Sequence, residues 1–323
     1  MRRLSLFTII FIVMAALYWF LEGPKINNAD QEPNNLISGL KFAQVKRINI
    51  SSASSDAIVL KRADNSWQVS ADNTTFSTAD SLAVEALLDS LAQLTTTSMV
   101  SRNSDRHALY KVSPDTGIQV EVLGGGGTLA NVLIGKSGPN IFSTYVRVAD
   151  SNEVYLVDGI LQNATSKSLN EWRDKAVFDF DPDLVITYKI SGDFSLALRK
   201  DDNAWLGSKD TPVNLETAAK IVSNFADLNA VDFAEGSLAK LGLDEPLRTI
   251  TAEMNDGTQA TLLIGSDANA FQQYAKTADS DTIYIIEKHL IGMLCPAIEE
   301  LTAPEPGAEE KIPTDPSEVQ PFK

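Results

Sequence analysis

Gly135-Lys136-Ser137 carries the residue types of a phosphate-binding turn, in which glycine amides cradle phosphate and a lysine supplies charge. That chemistry needs a glycine where this chain has Ala130, and a helix after the serine where it has Gly138 and Pro139. Asn131-Val132-Leu133-Ile134 reads as strand, so the motif is a strand-ending turn and no ATP site is expected. His107 and His289 are the two histidines of the chain. Neither has further ligands at zinc spacing or a Gly-x-Ser-x-Gly elbow, and both read as surface or interfacial residues. Cys295 follows Ile291, Met293 and Leu294 and reads as a small buried hydrophobe, not a nucleophile. Asp179, Asp181 and Asp183 suggest calcium, but the positions where a calcium loop needs glycine and glutamate hold Leu184 and Ile190. They read as a solvated connector, shaped by Pro182. Glu299 and Glu300 are adjacent by chance among 43 acidic residues, and nothing places them in a cleft for acid and base work. No catalytic, cofactor-binding or metal-binding residue is therefore assigned, and the chain reads as non-catalytic.

The elements around these residues fall into a repeated order. Segments 45–50, 57–60 and 67–69 read as strands, with a hairpin turn at Asp64 and Asn65, and 78–94 as a helix. In that helix Leu82, Val84, Leu87, Leu88 and Leu91 recur near helical spacing, with Ser77 or Thr78 as cap. Strands follow at 118–123, 129–134, 144–148 and 154–157, the first two joined by the Gly124 to Gly127 turn. The same order returns as strands at 184–190 and 194–198, Trp205, a helix at 215–228, and strands at 250–254, 260–264 and 282–286. Asn131-Val132-Leu133-Ile134-Gly135 matches Thr261-Leu262-Leu263-Ile264-Gly265, and Tyr155 and Tyr284 follow those glycines at nearly equal intervals. This is an internal duplication of roughly 130 residues. Trp67 and Trp205 hold equivalent places and read as core anchors between sheet and helix. Between the copies, 161–177 reads as a helix containing Trp172 and Arg173.

Residues 4–21 contain no charge, and as a helix they span about 27 Å, close to a bilayer's hydrocarbon core. Arg2 and Arg3 before them and Glu22 after them orient the N-terminus to the cytoplasm, with Tyr18 and Trp19 at the far interface. The expected organisation is a cytoplasmic stub and transmembrane anchor at 1–21, a tether at 22–41, α+β repeats at 42–177 and 178–301, and a disordered acidic, proline-rich tail at 302–323. Each repeat is an antiparallel sheet with one main helix over a face, and one continuous sheet formed by both is the alternative. Net charge is −16, which repels phosphate backbones and anionic headgroups, so no nucleic-acid partner is expected and a second membrane-surface site is disfavoured. Cys295 is the single cysteine, so the copies must be held by their cores.

These features together resemble a bacterial membrane-anchored family, domain of unknown function 4340. The resemblance is carried by the anchor, Trp67, the leucine-rich helix, Leu133-Ile134-Gly135, Tyr145 and Val154-Tyr155-Leu156-Val157. It continues through Trp205, Leu241-Gly242-Leu243-Asp244-Glu245-Pro246, Ile264-Gly265, Tyr274 and Ile283-Tyr284-Ile285-Ile286. The first copy's equivalent of the proline-ended turn is Tyr110-Lys111-Val112-Ser113-Pro114, which lacks the glycine. The resemblance implies no catalytic residues; it implies genomic company with transport systems of the gliding-associated ABC type, hence an accessory membrane role. The expected function is a single-pass inner-membrane protein, its bulk periplasmic, acting as an envelope interaction module near a transport complex. The alternative is small-molecule or glycan binding in a groove between repeats, lined by Trp172, Tyr145 or Tyr274.

Overall fold

The computed structural model describes residues 35–301 apart from 38, 65, 203 and 297. The segments expected as membrane anchor, 4–21, and as tail, 302–323, lie outside the described residues. Among the described residues no helix is long and apolar enough to cross a membrane. The chain divides between Asp174 and Lys175 into two compact units. Each is built on its own antiparallel sheet with a few helices, α+β in class and mostly sheet.

The first unit runs β1 (Val45–Ser52), β2 (Ser55–Ala63), β3 (Ser66–Ser70), β4 (Ser77–Thr78), α1 (Ser81–Ala92), β5 (Thr96–Ser101) and α2 (His107–Tyr110). It continues with β6 (Ile118–Gly124), β7 (Gly127–Ser137), β8 (Ser143–Val148), β9 (Val154–Asp158), α3 (Leu161–Thr165) and α4 (Leu169–Trp172). Its nine strands lie in the order β4-β3-β2-β1-β6-β7-β8-β9-β5. Alternation puts Ile48, Ile50, Val120, Val122, Val132 and Ile134 on one face, where they meet Val84, Leu87, Leu88 and Leu91 of α1. Trp67 and Trp172 are buried in the same core.

The second unit repeats this plan with β10 (Val185–Gly192), β11 (Leu196–Asp201), β12 (Ala204–Leu206), α5 (Leu215–Ala226), β13 (Asp232–Ala234) and α6 (Leu238–Leu241). Then come β14 (Arg248–Met254), β15 (Gln259–Asp267), β16 (Gln272–Thr277), β17 (Ile283–Glu287), α7 (Lys288–Leu294) and α8 (Ile298–Leu301). The strand order is β12-β11-β10-β14-β15-β16-β17-β13, the same path with one edge strand fewer. Ala218, Ile221, Val222 and Phe225 reproduce the helix stripe at the same spacing, and Trp205 takes the place of Trp67. Phe178, Phe180 and Tyr188 surround Phe225, with ring centroids 4.7, 6.3 and 5.5 Å away.

Hydrogen bonds repeat as faithfully as strand order. Leu36 donates to the Leu94 carbonyl at 2.8 Å, and Val177 to that of Leu228 at 2.8 Å. The isolated bridges Asn35 with Thr95 and Ala176 with Asn229 are the same contact in each copy. Ile37, assigned to the tether from sequence, is buried in the first core, so the folded unit includes the segment that Asn35 bridges to Thr95.

Three local expectations differ from the structure. The helix expected at 78–94 starts at Ser81, because Asp80 caps it by accepting from the Ala83 amide at 3.1 Å, while Ser77 and Thr78 pair with β3. Leu82 then falls off the apolar stripe and is exposed. The helix expected at 161–177 is broken in two, since Ser168 and Glu171 form a capping box that begins a new turn. Arg173 lies in a bridge with Ala79, so no helix continues to 177.

Candidate docking surface

Smaller apolar clusters on the other face of each sheet explain the repeated Ile-Gly element. Val112, Leu133 and Val154 with Tyr110 and Tyr145 form one; Leu243, Leu263 and Ile283 with Leu241 and Tyr274 form its counterpart. A Cβ added to Gly135 would meet the Tyr110 carbonyl, and one added to Gly265 the Leu241 carbonyl. The glycines let the end of α2 or α6 lie directly on the sheet. Gly242 ends α6 with φ +67°, and Lys111 takes the same left-handed conformation after α2 with φ 56°.

Each residue considered for chemistry is held in contacts of its own unit. Lys136 lies in β7, about 6 Å from the Tyr110 and Tyr145 ring centroids at 6.0 and 5.9 Å, and no helix N-terminus follows it. His107, expected at a surface or interface, is buried, and its Nε2 lies 3.1 Å from the Asn152 carbonyl, bracing the β8–β9 turn. Asp181 caps a short turn by accepting from the Asp183 amide at 3.0 Å. Cys295 borders the second core, where burial pushes its thiol up from the ordinary value. Beside it Arg248 is raised by its hydrogen bond to Asp193, contacting both carboxylate oxygens at 2.5 and 3.1 Å. Tyr188, pushed well up by burial, donates to the Leu294 carbonyl at 3.1 Å and ties β10 to α7. Trp172 is fully buried and offers no face to a ligand, while Tyr145 and Tyr274 sit half-buried in the small clusters. Among the described residues no group of three histidines, cysteines or carboxylates could hold a metal ion.

What converges instead is a surface on the second unit. The β15–β16 tip presents Phe271, 76% exposed. Its amide donates to Asn269 Oδ1 at 2.9 Å, and its carbonyl accepts from the Lys288 amide at 2.8 Å, so the ring stands on a fixed loop at the start of α7. Lys288 Nζ lies 2.7 Å from Asp267 Oδ2 and His289 Nδ1 lies 3.3 Å from Glu287 Oε2, giving a charged rim. Alongside α7, a groove against α5 holds cavities of about 380 and 220 Å³ that share Asn224 and Met293 as lining. Lys220, Asn214 and Glu300 line the larger. An exposed aromatic with a charged rim is the anatomy of a protein-binding patch.

Of these residues the sequence singles out His289, as surface or interfacial, and Glu300; Phe271 is not among its readings, although a signal was present. Asn140-Ile141-Phe142-Ser143-Thr144-Tyr145 and Asn269-Ala270-Phe271-Gln272-Gln273-Tyr274 share asparagine, phenylalanine and tyrosine at one spacing. In both loops the asparagine side chain holds the phenylalanine amide, with the Phe142 amide donating to Asn140 Oδ1 at 2.9 Å.

Fold and surface define a duplicated α+β module of antiparallel sheets, each copy closed by short helices. A family model described as Domain of unknown function (DUF4340) matches residues 77–246, just over half of the chain, and the chain belongs to that family. No curated protein matches it, and no solved structure does.

Proposed function

We propose that this protein is a non-catalytic, membrane-anchored interaction module of the bacterial envelope. Residues 4–21 hold it in the inner membrane by a single N-terminal helix, with the two units on the periplasmic side, and its second unit docks a protein of a membrane transport complex. The observation that carries this reading is Phe271, held outward on a hydrogen-bonded loop inside a charged rim at the start of α7. A large apolar ring costs free energy in water unless something covers it, and a fixed loop lowers the entropy lost when a partner does. The length and charge of 1–21 support the anchor, and the family's association with ABC-type transport supports the partner class.

The test is mild crosslinking in native membranes followed by purification of the full-length chain, beside Phe271→Ser and an anchor-only control. A defined membrane complex that depends on residues 40–301 and falls at least ten-fold with Phe271→Ser is the expected result. Recovery of the same complex by Phe271→Ser at the same yield would remove the second unit's tip from the interface.

A further inference from the structure

The two phenylalanine loops have diverged around their shared asparagine contact. In the first unit the β7–β8 tip carries Gly138, Pro139, Asn140, Ile141 and Phe142 and no charge. Ile141 is 69% exposed and Phe142 66%, and Ile160, just beyond β9, is 42% exposed. The Gly159 amide donates to the Phe142 carbonyl at 2.7 Å, which ties the two apolar segments together. Lys136 and Asp158 flank the tip with opposite charges.

Strand register fixes where this tip lies relative to the chain's entry. Asn35 bridges Thr95, and the next residue, Thr96, pairs with Val157 of β9. Thr97 Oγ1 donates to Asp158 Oδ1 at 3.2 Å, and Asp158 pairs with Ser143, the neighbour of Phe142. Entry point and apolar tip therefore share one end of the sheet. Leu82, 78% exposed, lies at the far end of α1 from Leu94, whose carbonyl receives the entry segment.

We infer that Ile141, Phe142 and Ile160 form a second, shallow membrane contact, seated at the headgroup boundary of the bilayer that holds residues 4–21. This rests on the anchor reading above. Residues 22–34, even fully extended, reach at most about 45 Å, so an anchored chain keeps its entry end close to the bilayer. The uncharged tip can insert by apolar burial alone, as interfacial segments do. Zwitterionic headgroups suit it, whereas the net charge of −16 opposes anionic ones.

The experiment places p-benzoylphenylalanine, one position at a time, at Phe142, Leu82 and Phe11 of the full-length chain in phosphatidylcholine vesicles, and reads lipid adducts by mass spectrometry. Position 11 reports the anchor and position 82 an exposed apolar site away from the tip. The expected result is adducts at 11 and at 142, with at least ten-fold more at 142 than at 82. A further Ile141→Ser and Ile160→Ser pair should lower the yield at 142 at least five-fold, with an unchanged circular dichroism spectrum. Adducts at 11 with equal yields at 142 and 82, or adducts at 142 that join two protein chains, overturn the second contact and leave the anchor standing. No adduct at 11 removes the anchor reading and the contact with it.

Discussion

Lys111 shows what the divergence of the copies costs at one position. It occupies the left-handed place that Gly242 fills in the second copy, with φ 56° and ψ 39°. A Cβ is disfavoured there by roughly 1–2 kcal/mol, and glycine returns part of that gain through its larger unfolded-chain entropy. Lys111 is exposed, so no packing is lost on its replacement. Lys111→Gly should therefore stabilise the first unit by about 0.5–1 kcal/mol, measured by urea unfolding of the full chain. Tyr188 makes the opposite kind of residue-scale statement. Burial raises its folded pKa well above the ordinary 10.0, so the unfolded chain loses the phenolic proton first as pH rises. The stability it contributes is present below about pH 10 and is lost progressively above that value. Tyr188→Phe should cost about 1 kcal/mol at pH 7, from the lost bond to Leu294, and should flatten the decline in stability above pH 10. An unchanged alkaline slope in that variant would assign the decline to other groups.

At the scale of elements, what repeats is a set of contacts more than a string of residues. The long alternating strands and the two apolar helices were legible because period 2 and period 3.6 stand out wherever one face is buried. The edge strands β5 and β13 were not, since Thr96–Ser101 has a single apolar residue on each face, Met99 and Val100, and Asp232–Ala234 is three residues long. β16 was missed for a similar reason: Gln272, Gln273 and Lys276 obscure its inward Ala275. The docking surface was less legible still, because an exposed phenylalanine has no periodic signature and only its recurrence in the second copy marks it. Gly135 and Gly265 were read as strand ends, whereas each gives a short helix its seat on the sheet. Gly265→Ala should then cost about 1–3 kcal/mol through forced separation of α6 from β15. Gly126, with open space around its Cα and no left-handed backbone, is a control whose alanine variant should be near neutral. Thermal unfolding of the two variants checks the difference: equal losses would mean that close approach is not what selects glycine at 265.

Across the whole molecule, the two copies share a way of closing. In the first unit the Asp80 amide, at the start of α1, donates to the Trp172 carbonyl at 2.8 Å, and Trp172 is buried in the core. In the second the Asn214 amide donates to the Leu301 carbonyl at 2.8 Å, and Leu301 is buried in turn. Trp172 and Leu301 have no sequence likeness, yet each ends a four-residue helix that returns the chain to the N-cap of the main helix. Burying a leucine side chain contributes about 1.5–3 kcal/mol, and the backbone bond adds about 1 kcal/mol. Together these are a large part of the 5–15 kcal/mol that an ordinary domain has available. A chain ending after residue 301 should keep the second unit's cooperative unfolding, and one ending after residue 296 should lower its stability by about 3 kcal/mol or more. Hydrogen exchange resolves the effect by position: with the shorter chain, protection in α5 and β12, which flank the lost contact, should fall first. If α5 keeps its protection when residues 297–301 are removed, the closing helix is an ornament of the second copy, and the functional unit ends at α7.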